Sequence, residues 1–468
     1  MTQVEPGYHA RPQVTEIRAR IGHPVIDGDG HLAEFMPWVY DIVRDIGGAD
    51  VERRLQTLSF AAAQPGTGSM PARTFHVVPA RNTLDRMTTM LPELHYQRLD
   101  EFGIDYALLY PSYGLLAMST VDREVRQVAA RALNTYAAAA YDGLRDRLEP
   151  VAVIPCFTPD EAIDELRHAV GTLGLKAVVL TGVVPRAQRP DGVVVPWTDT
   201  LGHDSAHDYD PLWAACEQLG VTPAFHGIGY GWGSRISPSN YVYNHLGSFA
   251  AAQEAVCRSL VMGGVPQRFP GLHFSFLEGG VSWACQLLAD LLSHFEKRNR
   301  VAVSQFDPKE FDLEFGLELL GAHGSDEMRS RHDRFSSLMR AFQDREETEI
   351  DDFAASGLAS VDDIIDLFTQ RLSFGCEADD PLTRLAFDTA DAWAPRHLRA
   401  VFASDIGHWD VRDASEVLLE AYELVEHGVI DLGAFREFTC DNVVHAMTAT
   451  NPAFFEGTVV ADTGRRPA

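Results

Sequence analysis

Six side chains in this sequence could assemble around a divalent ion and an acid–base pair. VIDGDGH places Asp29 and His31 two residues apart, so in extended backbone both point to one side and can chelate one ion. Asp27 is expected to share that phase. His226 ends VTPAFH and opens GIGYGWGSR, whose glycines leave room for a ligand. Glu278 stands in LHFSFLEGG, and Asp405 and His408 in VFASDIGHWD. Taken singly, a lone histidine or aspartate is more often a cap or a hydrogen-bonded structural group. Taken together, Asp29, His31, His226 and Asp405 form a donor set, because a metal needs several imidazole and carboxylate atoms converging within about 2.0 to 2.2 Å of one point. An ion so held lowers the pKa of water toward about 7 and polarises a carbonyl. Asp405 is then expected to touch the ion and shuttle a proton, with Glu278 as a second acid/base or an added donor. The alternative for Glu278 is a carboxylate bracing the following Gly-Gly turn. His408 is expected to orient substrate or Asp405, against a plain loop histidine bonded to backbone.

Substrate contacts are expected from the loop after His226. Tyr230 and Arg235 lie there, and His245 follows in SPSNYVYNHLG at the start of the next helix. Arg235 could pair with a substrate carboxylate or carbonyl. Trp232 reads better as loop packing, since tryptophan buries a large apolar area. His9, His23, His203 and His207 are left outside the site, although HDSAH has metal-like spacing.

The elements that must position these groups are short apolar runs alternating with helical patterns, the signature of repeated βα units. Eight strands are expected: 23–27, 106–111, 149–156, 175–181, 221–226, 272–278, 372–377 and 398–405. Segments such as DEAIDELRHAV and SEVLLEAYELVEHG carry helical apolar spacing between them. Eight such units suggest a (β/α)8 barrel, with an open doubly wound sheet as the alternative. In a barrel the strand ends face the active-site mouth, which is where all six chemical side chains fall. Two stretches exceed a plain barrel, about 37–92 after strand one and about 297–370 after the helix that follows strand six. The second is charged and helical and reads as a lid or an oligomer contact, against a solvated elaboration.

The 468 residues suffice for one barrel domain with these insertions. The net charge of −28 repels a phosphate backbone and an anionic membrane alike, so neither is an expected partner. No run of about 18 apolar residues could span a bilayer, and the N-terminus shows no apolar signal region, so the cytoplasm is the expected address. Cys156, Cys216, Cys257, Cys285, Cys376 and Cys440 are scattered in apolar contexts and read as buried thiols.

VIDGDGHL, HYQRLDEFGIDYALLYPS, EPVAVIP, YDPLWAACEQLGVTPAFHG, GGVPQRFPGLHFSFLEGG and VFASDIGHWD resemble, in order, segments of the amidohydrolase-related proteins that include aminocarboxymuconate-semialdehyde decarboxylase and aromatic-acid decarboxylases. The resemblance spans about 24–446, interrupted by the second insertion. It implies a (β/α)8 barrel with one catalytic divalent ion, zinc first and manganese second, and enzymes that hydrolyse a carbon–heteroatom bond or remove CO2. By the family pattern Asp29 and His31 match the first metal-binding pair, His226 the strand-five histidine and Asp405 the strand-eight aspartate. Two departures matter. Glu278 stands where the decarboxylases usually carry histidine, and Lys176 begins strand four rather than ending it, which disfavours a second, lysine-bridged metal. The leading expectation is therefore a hydrolase of a small amide, lactone or related carbonyl compound, the alternative being a carboxy-lyase of an aromatic or unsaturated acid. A third reading is a scaffold that has lost turnover. A homo-oligomer acting on a small molecule is the expected working form.

Overall fold

The computed structural model describes residues 8–57, 81–195, 197–227, 239–344, 351–389 and 396–463, together with 232, 234, 235 and 237. All eight expected strands are present: β1 Ile26–Leu32, β2 Tyr106–Pro111, β3 Leu148–Ile154, β4 Ala177–Leu180, β5 Pro223–Phe225, β6 Phe274–Phe276, β7 Leu372–Glu377 and β8 Arg399–Ala403. They pair in parallel in chain order in one sheet, and helices cover them, giving a (β/α)8 barrel. A small antiparallel hairpin, Val184–Arg186 with Trp197–Asp199, follows β4.

Almost every strand residue is buried, as expected where both faces of a parallel sheet are covered. Alternate residues nonetheless belong to two different apolar clusters. Tyr106, Leu108, Tyr110, Val151, Val153, Val179, Ala224 and Val401 share one. Ala107, Leu109, Ala152, Ile154, Leu180, Phe225, Ala400 and Phe402 share the other. Tyr110 lies beside His31 and His226, so its set faces the barrel interior. The second set packs under the helices, where Phe225, Phe276 and Phe374 stack across β5, β6 and β7 at 5.5 and 6.2 Å between ring centres.

The barrel closes between β8 and β1 through a side chain as much as through backbone. The register of β1 against β2 passes from Asp27 opposite Ala107 to Gly30 opposite Leu109, so β1 holds one extra residue in a β-bulge. The bulge takes Asp27 out of phase with Asp29 and His31, contrary to the sequence expectation. Its buried carboxylate instead accepts from the Ser404 N–H at 3.0 Å, the Ser404 hydroxyl, and the Asp29 N–H at 3.2 Å. The Asp405 N–H reaches the Asp29 carbonyl at 3.4 Å. The flanking glycines are demanded by proximity: a Cβ at Gly28 would lie 2.3 Å from Val401 Cγ1, and one at Gly30 would lie 2.4 Å from Asp27 Oδ2.

Within the first insertion, the helix Met36–Gln56 buries Val39, Val43, Val51 and Leu55, while 58–80 lies outside the described residues. The second insertion divides in two. Val361–Gln370 is amphipathic, capped by Ser360 and Asp363, and buries Ile364, Ile365, Leu367 and Phe368, as a barrel helix does. Leu313–His323 and His332–Gln343 form a helical pair that buries no residue. All six cysteines are free and buried. Among the described residues no helix is long and apolar enough to cross a membrane.

Candidate active site and metal centre

The strand ends converge as the barrel requires. Donor atoms of Asp29, His31 and His226 lie within 4.8 Å of one another, and so do those of His31, Glu278 and His408. His226 Nε2 is 3.6 Å from Asp29 Oδ1 and 2.9 Å from Glu278 Oε2. His31 Nε2 is 3.2 Å from Asp405 Oδ1, and Asp405 Oδ1 is 2.5 Å from His408 Nδ1. The His31 and His408 ring centres lie 3.9 Å apart, the planes tilted by 30°. Asp405 thus joins the cluster through His31 and His408 rather than as a member of the tight Asp29, His31, His226 group.

Backbone conformation aims two of these carboxylates. Leu277 belongs to the inward cluster, so a regular strand would turn Glu278 away from the interior. Glu278 instead adopts φ +56° and Asp405 φ +49°, left-handed conformations that L residues seldom take. Each costs roughly 1–3 kcal/mol and persists where surrounding structure enforces it, commonly at functional sites. Gly375 of β7 provides part of that surrounding, because a Cβ there would come within 3.0 Å of the Glu278 nitrogen.

The electrostatics favour bound cation. Both carboxylate oxygens of Asp29 and of Asp405, both ring nitrogens of His31 and of His226, and Glu278 Oε2 are buried without a well-directed hydrogen bond. Such groups are expensive to bury unless paired or coordinated. Burial, then the neighbouring His408, drives His31 down to about 3, so its imidazole is neutral and its nitrogens are free to coordinate. Burial lowers His226 as well. Burial and surrounding carboxylates raise Asp29 and Glu278 well above the usual range, the response of a carboxylate cluster lacking a cation. Burial would also raise Asp405, but His408 and His31 outweigh it and hold it well below that range. His408 rises to about 9 because Asp405, with Glu278 and Glu377, overcomes the opposing effect of burial. The donor set therefore fits a divalent ion in charge and in chemistry.

A cavity of about 320 Å³ opens beside the cluster, lined by His245, Phe249, Glu278, Glu377, Trp409 and Asp410 among others. His245 ends the short helix Tyr241–His245 rather than beginning one, and its ring packs 5.7 Å from Trp409 and 5.4 Å from Phe249. Arg235 Nε donates to the Leu246 carbonyl at 3.3 Å, which places the guanidinium beside Gly247, a cavity-lining residue, rather than in the lining itself. Tyr230 lies outside the described residues. Glu377 and Asp410 are site residues that sequence reasoning passed over. Burial and Asp405 raise Glu377 to about 7 and Asp410 to about 10. Glu377 ends β7, so the strand-end rule that selected Glu278 would have found it. Lys176, at the start of β4, binds the Phe454 carbonyl at 3.1 Å, away from the site.

The fold agrees with comparison to known proteins. An amidohydrolase from Mycobacterium avium subsp. paratuberculosis K-10 superposes with a TM-score of 0.54 at 17% identity, covering 91% of this chain and 99% of its own. A dihydroxybenzoic acid decarboxylase from Polaromonas sp. JS666, solved with manganese and the inhibitor 2-nitroresorcinol, gives 0.50 at 14% identity, covering 91% and 97%. At these identities the likeness is one of fold. The amidohydrolase family model matches residues 26–329, a span that holds Asp29, His31, His226 and Glu278 and stops before Asp405. By that match over more than half its length, the chain belongs to the amidohydrolase family.

Proposed function

We propose that this protein is a metal-dependent carboxy-lyase that releases CO2 from a small aromatic or unsaturated carboxylic acid. Asp29, His31 and His226 would hold the divalent ion, with Asp405 and Glu278 at its edge. When bound, the ion supplies Lewis-acid polarisation of a substrate oxygen. Manganese is the first ion to test, since carboxylate-rich sites suit it and the decarboxylase of like fold contains it. The two imidazoles keep zinc, the sequence expectation, as the second.

The observation that carries this reading is the engagement of Asp405 by His408 at 2.5 Å. Hydrolysis needs a carboxylate free to take a proton from water, whereas Asp405 is held ionised and weakly basic by an imidazolium. Decarboxylation needs the opposite, a proton donor. Glu278 is buried, its carboxyl is raised above the usual carboxylate range by burial and by Asp405, and it faces the cavity. The carbon–carboxylate bond breaks, its electron pair stays on carbon, and the Glu278 Oε proton forms the new C–H bond. CO2 leaves, and Glu278 is reprotonated from solvent through the cavity. His245 at the wall, with Arg235 behind Gly247, would orient the substrate. The likeness to a decarboxylase of hydroxylated benzoic acid supports the same chemistry.

Hydrolysis is the second reading, favoured by the Asp405 carboxylate, 3.2 Å from His31 Nε2, where a base for water would stand. Incubating the metal-loaded protein with hydroxybenzoic and unsaturated acids, and separately with amides and lactones, decides between them. CO2 release from the acids supports the proposal, and product formation only from the amides or lactones overturns it.

A further inference from the structure

The helical pair of the second insertion has an outward face that the barrel leaves uncovered. Leu313–His323 and His332–Gln343 pack on one another, with Leu317, Leu320, Phe335 and Met339 half-buried between or beside them. The opposite faces are apolar too. Phe315 and Leu319, one turn apart, are 55% and 43% exposed, and Leu338 is 63% exposed. Helices of this length gain most of their stability from burying an apolar face, and these two bury no residue. An apolar patch of this kind marks an interaction surface.

The charges indicate the occupant. The first helix carries Glu314 and Glu318 and no lysine or arginine. On the second, Arg334 lies one turn before Leu338. Among the described residues neither Glu318 nor Arg334 forms an ion pair, although nearby Arg329 and Arg331 are paired with Asp326 and Glu327. One face thus holds an apolar stripe flanked by an unpaired acid and another flanked by an unpaired base. That arrangement complements itself under two-fold rotation.

We propose that the helical pair is a dimerisation arm that docks on the same arm of a second copy of this chain. Phe315 and Leu319 of one copy meet the partner's Leu338, and Glu318 meets the partner's Arg334. The four helices then form a bundle whose centre is the two apolar stripes. This interface stands apart from the active-site cavity and does not depend on which reaction the site performs.

Sedimentation equilibrium of the full chain over about 1 to 100 µM, a range in which association shifts by mass action, tests it. The wild type should sediment as a dimer. The double substitution Leu319→Glu with Leu338→Glu should weaken association by at least about 100-fold, as loss of a central apolar anchor does, while circular dichroism and metal content stay as in wild type. Glu318→Arg or Arg334→Glu alone should weaken the dimer, and the two together should restore it. These charge variants leave the apolar stripes intact, so they decide the matter if the glutamate pair disturbs folding. A wild type monomeric throughout, a dimer unaffected by the glutamate pair in a folded protein, or a double charge swap no tighter than either single change would each overturn the proposal.

Discussion

At the scale of single residues, the account turns on Glu278 and His226. Glu278→Gln keeps size and hydrogen-bonding reach but removes the transferable proton, so kcat should fall about 10²- to 10⁴-fold while bound metal is retained. Elemental analysis beside the rate separates this from a ligand role, in which metal would be lost and added metal would recover activity. His226→Ala should lose metal and turnover together and leave the circular dichroism spectrum unchanged, because strand-end side chains serve the mouth of a barrel more than its core. His408 makes a pH prediction. Its folded pKa of about 9 stands above the ordinary 6.5, so the metal-free protein binds more protons folded than unfolded between those values. Stability from this group is present in full below about 6.5 and is lost as pH rises through about 9. Asp410, raised to about 10, acts in the same direction. The melting temperature of chelated protein should therefore fall from pH 7 to 9, and His408→Gln should flatten the fall. A melting temperature that rises across that window would contradict the ion pair with Asp405. The identities of Glu278, His226 and His408 were legible from type and position at or just after strand ends, whereas Asp410 was passed over. Their geometry was not, since the left-handed backbone of Glu278 and Asp405 arises from contacts with neighbouring strands rather than from local preference.

At the scale of elements, the Asp27 latch is the feature with most to test. Asp27→Ala would leave the Ser404 and Asp29 N–H groups buried without an acceptor, each costing about 1–3 kcal/mol. Chemical denaturation should show a loss of that order, accompanied by weaker metal retention because Asp29 follows on the same bulge. Unchanged stability would mean that the barrel closes without the carboxylate. Gly28→Ala should cost about 1–3 kcal/mol by overpacking against Val401, and Val401→Ala should relieve part of it. The eight strands were legible because each is a short apolar run bounded by polar or turn residues, and burial on both faces makes such runs nearly continuous. The bulge in β1 was not legible. VIDGDGH reads as simple alternation, and only the register against β2 shows that one residue is extra. The Val184–Arg186 hairpin escaped for a similar reason, its strands being three residues each.

At the scale of the whole molecule, a −28 charge surrounds a small, acid-rich mouth and a projecting helical arm. The arm was legible as a helical insertion, but its uncovered apolar stripes became visible only once the barrel was seen to leave them exposed. The mouth carries the central claim, which is that this chain cleaves a carbon–carboxylate bond and protonates the carbon left behind. The most direct measurement is turnover of carboxyl-labelled hydroxybenzoic and unsaturated acids by the manganese-loaded protein in D2O, with trapped gas and product mass read together. Labelled CO2 is expected in equal amount to a product carrying one deuterium at the carbon that lost it. A product that retains the labelled carboxyl group, formed by addition of water with no CO2 released, would contradict it.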